Sequence, residues 1–241
     1  GITAAIDLNG HTLDRGLVSC EDGGSVIRVE TGAVLTIKDG SNSNAGIITG
    51  GASWNGGGIC NYGTLTIEGG TITGNKALHD QYGSGGGIYN AKDKSTDAKL
   101  ILKGGVITDN DARNGAGIYN YSGSTVTIEA GTITKRKALI ATNISITLNR
   151  AADDGAGIYN AGSLEMKDAP EFDNDGEDIY LVSGTKITVT GALTNTGLIS
   201  VYAQDDDPII TSGYGKYNSQ TPDNGFASYS PDALAQASGS G

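Results

Sequence analysis

The chain of 241 residues contains 39 glycines but only 4 prolines and 2 phenylalanines, and its formal net charge at neutral pH is −11. This negative charge repels nucleic-acid phosphates and anionic membrane surfaces, so we expect no nucleic-acid partner. No apolar run approaches the roughly 18 residues of a membrane-spanning helix, so no membrane insertion is predicted. Many glycines without a collagen period indicate an architecture rich in tight turns.

The first elements predicted along the chain are short strands between glycine-rich turns. Residues 4–14, 25–39 and 45–51 alternate aliphatic and polar side chains, a pattern typical of strands. The sequence shows no amphipathic helix of useful length, which argues against helical solenoids. We interpret these segments as the first coils of a repeating structure.

A glycine-rich motif, here called the repeated word, recurs in the middle of the chain. It ends in an isoleucine, then a tyrosine or cysteine, then an asparagine. Its isoleucines, spaced 29, 30 and 40 residues apart, are Ile59, Ile88, Ile118 and Ile158. Periods of about 20 to 50 residues are typical of solenoids, propellers and arrays. Each unit offers three short strands, such as TLTI at 64–67, and tolerates insertions at its turns. This favours one coil of a parallel β-helix per unit over a four-stranded propeller blade.

Stacked coils would align equivalent residues in columns. The alternation places a set of aliphatic residues inward together with the four isoleucines: Leu65, Ile67, Leu100, Leu102, Val126, Ile128, Leu164 and Met166. Side-chain amides are predicted to hydrogen-bond from coil to coil at Asn61, Asn90, Asn120 and Asn160. An outward threonine column is predicted at Thr49, Thr73, Thr108 and Thr134, with residues 135–150 as an insertion.

The last coils are predicted at residues 178–203. The polar, turn-rich remainder would cover an end that otherwise exposes open sheet edges. The sequence therefore predicts an all-β, single-domain β-solenoid at residues 1–203, with N-terminal capping coils, and an irregular polar C-terminal cap or tail at 204–241.

Several segments carry a resemblance to a known family: IDLNGHTL, GAVLTIKDG, GGGIYN, LTIEGGTITGN, DIYL and KITVTGALT. They resemble the right-handed parallel β-helix repeats of large adhesin-like surface proteins of Gram-positive gut bacteria, within the pectate-lyase-like β-helix superfamily. The resemblance covers about residues 2–203. It implies a right-handed β-helix, an extracellular location at the cell surface or cell wall, and a monomeric place within a larger surface protein.

The predicted binding surface is an outward tyrosine column. Tyr89, Tyr119 and Tyr159 follow the inward isoleucines, and Cys60 completes their column. Aromatic rings and phenol hydroxyls suit a glycan or a host surface protein. The turns before each repeat add further candidate ligand-binding residues: Trp54, His79, Asp80, Tyr82, Arg113, Asp153 and Asp154. The alternative is that the aromatic column only stabilises the stacked strands.

Two other functions stay open beside a non-catalytic adhesin or ligand-binding stalk. A polysaccharide lyase or glycoside hydrolase would use clustered acids and a base, and the candidates are Asp109, Asp111, Asp153 and Asp154 with Arg113 or Arg150. These residues also fit ordinary turns, and fold alone does not imply activity. The third function is a purely structural spacer.

No cofactor is predicted. The acidic segment at residues 171–178 is interpreted as a solvated turn, with a weak Ca²⁺ site as the alternative. Cys20 and Cys60 are interpreted as unpaired, with a disulfide between neighbouring coils as the alternative.

Overall fold

The computed structural model describes residues 1–41, 45–79, 83–93, 96–129, 144–147, 150–174, 177–195, 198–205, 210–213 and 226–228; at 144–147, 150, 152, 153 and 226–228 it describes the backbone alone. These residues form strands, turns and bends, and none of them is helical. The all-β prediction is therefore confirmed. Within the same ranges there is accordingly no helix of the length and apolarity that crossing a bilayer requires.

The strands form four sheets, numbered I to IV. Sheet I comprises β1 (Thr3–Asp7), β4 (Val34–Lys38), β8 (Thr64–Ile67), β12 (Lys99–Leu102), β16 (Thr125–Glu129), β20 (Ser163–Asp168), β23 (Ile187–Leu193) and β25 (Thr211–Ser212). Sheet II comprises β2 (Thr12–Asp14), β5 (Ile47–Thr49), β9 (Thr71–Thr73), β13 (Gly105–Thr108), β17 (Ile144–Thr147) and β21 (Glu171–Asp173). Sheet III comprises β6 (Ala52–Ser53), β10 (Lys76–Ala77), β14 (Asp111–Asn114) and β18 (Arg150–Asp154). Sheet IV comprises β3 (Ile27–Val29), β7 (Ile59–Asn61), β11 (Ile88–Asn90), β15 (Ile118–Asn120), β19 (Ile158–Asn160), β22 (Ile179–Leu181), β24 (Ile199–Ala203) and β26 (Phe226–Ser228).

Successive strands along the chain belong to the four sheets in a repeating order. Strands β4 to β7 lie in sheets I, II, III and IV, and the next three sets of four strands follow the same order. The paired strands of every sheet run parallel. Parallel neighbours need a long connection between them, and here that connection is one full round through the other sheets. The arrangement is consistent with the predicted parallel β-helix.

Sheet III is a fourth set of strands where the sequence pattern indicated three per unit. Its buried alanines are small: Ala77 and Ala112 form a buried cluster with Ala116, which follows β14, and Ala151 packs against this cluster. Alanine and the charged residues around it have low strand propensity, and strands this short show little alternation. The sequence pattern therefore did not reveal this sheet.

The predicted inward columns are confirmed. Ile59, Ile88, Ile118 and Ile158 are register partners in sheet IV, and each is 0 % exposed. The eight aliphatic residues predicted to face inward from sheet I are buried in the same core. Burial of each such side chain stabilises the fold by roughly 1.5–3 kcal/mol relative to exposure.

The predicted asparagine column, here called the asparagine row, is also confirmed. The Nδ2 of Asn61 donates to Oδ1 of Asn90 at 2.8 Å, and Asn90 donates to Asn120 at 2.9 Å. Asn120 in turn donates to Asn160 at 2.8 Å. A second buried pair, Asn75 to Asn110 at 3.1 Å, was not predicted. Buried polar groups destabilise a fold unless they are hydrogen-bonded, so these rows tie each coil to the next.

The predicted threonine column was wrong at one member. Thr73 pairs with Thr108, and Thr108 pairs next with Thr147; Thr134 lies outside the described residues. β17 (Ile144–Thr147) and the start of β18 at Arg150 lie within the segment 135–150, so the prediction that this whole segment is an insertion was wrong. The segments 132–134 and 145–147 carry the same Ile-Thr alternation, so the pattern alone could not choose between them.

Charged residues of alternating sign lie near the C-terminal ends of six successive sheet I strands, and we call them the charge row. One residue per coil contributes, in the order Asp7, Lys38, Glu68, Lys103, Glu129 and Lys167. Ion pairs join Lys38 to Asp7 at 3.3 Å, Lys103 to Glu68 at 3.7 Å and Lys167 to Glu129 at 3.5 Å. Opposite charges on neighbouring strands favour this register over a slipped one.

Two strands lie beyond residue 203. β25 pairs with β23 in sheet I, and β26 pairs with β24 in sheet IV. The sheets thus extend into the segment predicted to be an irregular cap. The domain boundary at residue 203 stays a prediction.

Candidate functional site: a tyrosine row on sheet IV

Among the described residues, the register of sheet IV aligns five tyrosines in one row. Tyr89 pairs with Tyr119 and Tyr119 with Tyr159, as the sequence predicted. The same column continues to Tyr180 and Tyr202 in β22 and β24. These two were missed because the glycine-rich word and its asparagine are absent there. The remaining signal was the aliphatic residue that precedes each tyrosine. We call these five residues the tyrosine row.

The rings of the tyrosine row stack face to face. Ring centroids lie 5.5 Å apart for Tyr89 and Tyr119, and 4.8 Å apart for Tyr119 and Tyr159, with the latter planes inclined by 6°. The spacing continues at 5.0 Å to Tyr180 and 5.1 Å to Tyr202. Because neighbouring rings cover each other's faces, an external sugar ring could not stack within the row. What the row presents to solvent is ring edges and phenol hydroxyls.

The two outermost tyrosines of the row, Tyr202 and Tyr89, have different surroundings. Tyr202 is 38 % exposed, whereas Tyr180 beside it is 8 % exposed. At the other end, Tyr62 meets Tyr89 edge-on, with centroids 6.4 Å apart, and the Arg28 guanidinium lies 4.6 Å from the Tyr62 ring centroid. Cys60 holds the register position before Tyr89, as predicted.

Burial raises the pKa of the tyrosine hydroxyls. It raises the pKa of Tyr119 and that of Tyr180 to about 12, and the pKa of Tyr89 rises further in the same direction. The pKa of Tyr159 is also raised, by burial first and then by the nearby Asp154 carboxylate. The hydroxyls therefore stay protonated at neutral pH and can donate hydrogen bonds, but they do not supply a phenolate base.

The corner between sheets III and IV holds four of the other predicted residues, Trp54, His79, Arg113 and Asp154. Trp54, 42 % exposed, contacts His79 of the next coil with ring centroids 4.8 Å apart. Arg113 lies in β14 and Asp154 ends β18, where its amide donates to Oδ1 of Asn114 at 3.3 Å. Asp154 also influences the pKa of Tyr159 and Tyr180, so it lies beside the row. Asp80, Tyr82 and the Asp153 side chain lie outside the described residues.

The cysteines are unpaired, and the described acidic residues do not cluster into a metal site. Cys20 and Cys60 are both free, and burial raises the pKa of the Cys60 thiol. In the part of the chain that the structure describes, no three His, Cys, Asp or Glu residues could together hold a metal ion. The segment proposed for weak Ca²⁺ binding includes residues 175 and 176, which lie outside that part, so this alternative stays a prediction.

Comparisons with known proteins complete the description of this site. The chain matches no protein-family model, no curated protein and no solved structure.

Proposed function

We propose that the chain is a single right-handed parallel β-helix domain of an adhesin-like bacterial surface protein. In this proposal it lies outside the cell, at the surface or in the wall, and binds a glycan or a host surface protein. Binding uses the tyrosine row and the adjoining corner between sheets III and IV, and it involves no catalysis. The fold proposal is supported by the repeating order of parallel sheets and by the resemblance of the repeat words to pectate-lyase-like β-helices.

One observation carries the functional proposal. Five phenol groups follow one another along a single face, with ring centroids 4.8 to 5.5 Å apart. Each hydroxyl can donate or accept a hydrogen bond. A long ligand with regularly spaced polar groups could contact several hydroxyls at once, which multiplies weak individual contacts.

Because the ring faces of the row stack on one another, the row can offer a ligand hydrogen bonds but not aromatic stacking. Saccharide stacking needs a free aromatic face, and none is free between neighbouring members of the row. Trp54, 42 % exposed beside His79, supplies a partly free aromatic surface at the corner. We therefore propose hydrogen bonding along the row and aromatic stacking at Trp54.

A structural spacer is the second candidate. It is supported by the same stacked rings, since aromatic pairs across neighbouring strands stabilise a sheet by themselves. In that case the tyrosine row and the buried asparagine row serve stiffness alone, and the outer hydroxyls have no ligand.

A binding screen tests the proposal. The protein is applied to arrays of glycans and of extracellular host proteins, and bound targets are re-measured with the double variant Tyr119→Phe and Tyr159→Phe. We expect a loss of about tenfold or more in affinity, because each hydroxyl hydrogen bond contributes roughly 0.5–1.5 kcal/mol. Thr66→Val, which removes a hydroxyl from the outer side of sheet I, is the control and should bind normally.

Two results would count against this function. Silence on both arrays would favour the spacer. Release of reducing sugars from a polysaccharide, abolished by Asp153→Asn and Asp154→Asn, would favour a lyase or hydrolase instead.

A further inference from the structure

The hydroxyls of the tyrosine row have no partner within the described part of the chain. The rings contact one another, but none of the five hydroxyls is hydrogen-bonded to a described residue. Among the same residues, Ser124 Oγ is the only buried side-chain polar atom that lacks a hydrogen bond. The hydroxyls of the row therefore reach solvent, where each can donate to a ligand and accept from it.

A second polar row lies at the corner between sheets III and IV. Asn55, Ser84, Asn114 and Asp154 are register partners in successive coils, and we call them the corner row. Oδ1 of Asn55 accepts from the Ser84 amide at 3.2 Å, and Oδ1 of Asn114 accepts from the Asp154 amide at 3.3 Å. Within the described ranges, these two side chains bond only through their oxygens, so each Nδ2 group is left to donate to a ligand.

The backbone that follows the corner row brings it against the tyrosine row. Gly115 follows Asn114 with a φ of 58°, in the left-handed region that favours glycine, and a side-chain carbon there would lie 2.8 Å from Cα of Tyr119. In the next coil, the Asp154 carboxylate lies near enough to Tyr159 to raise its pKa, in addition to the larger effect of burial. The two polar rows therefore run side by side.

The spacing of the tyrosine row distinguishes between a protein ligand and a glycan. Its ring centroids advance by 4.8 to 5.5 Å from one coil to the next. Side chains on one face of an extended peptide repeat at twice the rise per residue, roughly 6.4–6.8 Å, and those of a polyproline helix repeat every third residue, at roughly 9 Å. An extended peptide would thus drift from the row by roughly 1–2 Å at every coil.

A linear glycan can keep the period of the row. A pyranose unit joined through equatorial bonds at C1 and C4 advances by a length close to this spacing, because the ring and one bridging oxygen set the step. The resulting chain is an extended ribbon with hydroxyls along both edges. An axial bond at C1 makes the chain coil instead, and the match is lost. The formal charge of −11 disfavours acidic polysaccharides.

We propose that the tyrosine row and the corner row together bind a neutral polysaccharide of pyranose units joined by equatorial 1,4-bonds, with one sugar per coil. This assignment rests on the proposed function, since it identifies the ligand of the same surface. Each sugar bonds to the phenol hydroxyl of one coil, and the side-chain amides of the corner row supply further donors. Affinity then grows with the number of coils that the chain covers.

Oligosaccharides of increasing length test the assignment. The probes are β-1,4-linked series of two to five units, made of glucose, xylose or N-acetylglucosamine, and binding is measured by titration calorimetry. For at least one series we expect affinity to rise about 2–10-fold with each added sugar, because each sugar adds a hydrogen-bonded contact. The series that binds identifies the source as a glucan, a xylan or chitin. Maltopentaose has the same glucose units in axial linkage and should bind no better than maltose.

Variants in each row locate the binding. Tyr119→Phe removes a hydroxyl from the middle of the tyrosine row and keeps the stacked ring. Asn114→Asp keeps the acceptor for the Asp154 amide and removes the Nδ2 donor. We expect both to bind the pentasaccharide about 2–10-fold more weakly, with a smaller loss for the disaccharide, which can occupy other coils. Thr66→Val on sheet I is the control and should bind normally, and thermal unfolding midpoints establish that each variant folds.

Three results would overturn the assignment: pentasaccharides that bind no better than disaccharides in every β-1,4-linked series, maltopentaose that binds as well as they do, or full affinity in Tyr119→Phe. If a host protein nevertheless binds and loses affinity in the double variant Tyr119→Phe and Tyr159→Phe, the proposed function stands and only the sugar assignment fails. If neither glycans nor proteins bind, both fail.

Discussion

The asparagine row and the tyrosine row run side by side along sheet IV, yet they are held by different forces. Asn90 follows Tyr89 directly in β11, but Asn90 is 0 % exposed and donates to Asn120 through a bond of 2.9 Å. Tyr89 faces outward and stacks on Tyr119 without a directional bond. One row depends on complete hydrogen bonding in a dry interior, and the other on ring packing at a half-exposed surface.

This difference separates stability from binding. Removing one member of the asparagine row leaves its neighbours with unsatisfied buried groups, which costs far more than the bond itself. Removing a hydroxyl from the tyrosine row leaves no buried polar group without a partner, because the row lies at the surface. Variants in the two rows should therefore affect different properties of the protein.

The largest effect is expected for Asn90→Ala. This change leaves Oδ1 of Asn120 without its donor and removes an acceptor from Nδ2 of Asn61. We expect a loss of about 2–3 kcal/mol in the free energy of unfolding, measured by urea denaturation. Thr66→Ala on sheet I is the control, with an expected loss below about 0.5 kcal/mol. A loss below about 1 kcal/mol for Asn90→Ala would mean that the row is not critical.

The next effect is expected for Tyr119→Ala, at the middle of the tyrosine row. Tyr119 stacks on two neighbours, and each aromatic pair contributes roughly 0.5–1.5 kcal/mol beyond burial. The expected loss in urea denaturation is thus about 1–3 kcal/mol. Tyr202→Ala removes the last ring of the row among the described residues, which stacks on Tyr180, and should lose about half as much. Equal losses at both positions would show that stacking is not the stabilising force.

Alkaline pH should lower the free energy of unfolding through ionisation of the tyrosine row, whereas the asparagine row has no group that ionises. Below a pH of about 10, tyrosines are protonated in both the folded and the unfolded state, and the full stability is present. Above it, tyrosines ionise in the unfolded chain, whereas burial holds the pKa of Tyr119 and Tyr180 at about 12 in the fold. Stability should therefore fall as the pH rises from about 10 through about 12.

The measurement for this prediction is the urea midpoint across alkaline pH, with phenolate absorbance recorded in parallel. The double variant Tyr119→Phe and Tyr180→Phe should show a shallower decline, because two shifted groups are gone. An unchanged slope would contradict the role assigned to these two hydroxyls.

The smallest effect is expected on sheet I, away from both rows. Lys103→Ala removes the cation that lies 3.7 Å from Glu68 in the charge row, where both side chains are about half exposed. We expect a loss of about 0.2–1 kcal/mol at low ionic strength. In about 1 M salt the difference from the unmodified chain should vanish, because screening acts over about 3 Å there. A loss that persists in high salt would indicate packing by the lysine stem instead.

The sequence pattern predicted the structure correctly where identical residues recur at the same place in each unit. The isoleucines of the repeated word were predicted as an inward column and its asparagines as a hydrogen-bonded column, and the structure stacks both in register. It failed where the letters change: Tyr180 and Tyr202 belong to the same column but lack the word around them. The charge row was missed for a related reason, since its members alternate in sign and so never repeat as a motif.

The sequence by itself determined which side is buried in the repeated strands of sheets I and IV. Alternation with period two assigns every second residue to the interior, and this is a local property that needs no knowledge of neighbouring coils. The repeated word further determined that units of similar shape follow one another, so that the same residue types meet in the core.

Only the tertiary structure decided which coil residues meet outside the repeated word. Thr147 pairs with Thr108, although Thr134 has the same local pattern. The choice depends on which segment of a longer unit stacks on the sheet, and so on packing between residues far apart in the chain. The tyrosine row and the charge row both arise at this level, because each is a relation between coils and not a property of any one strand.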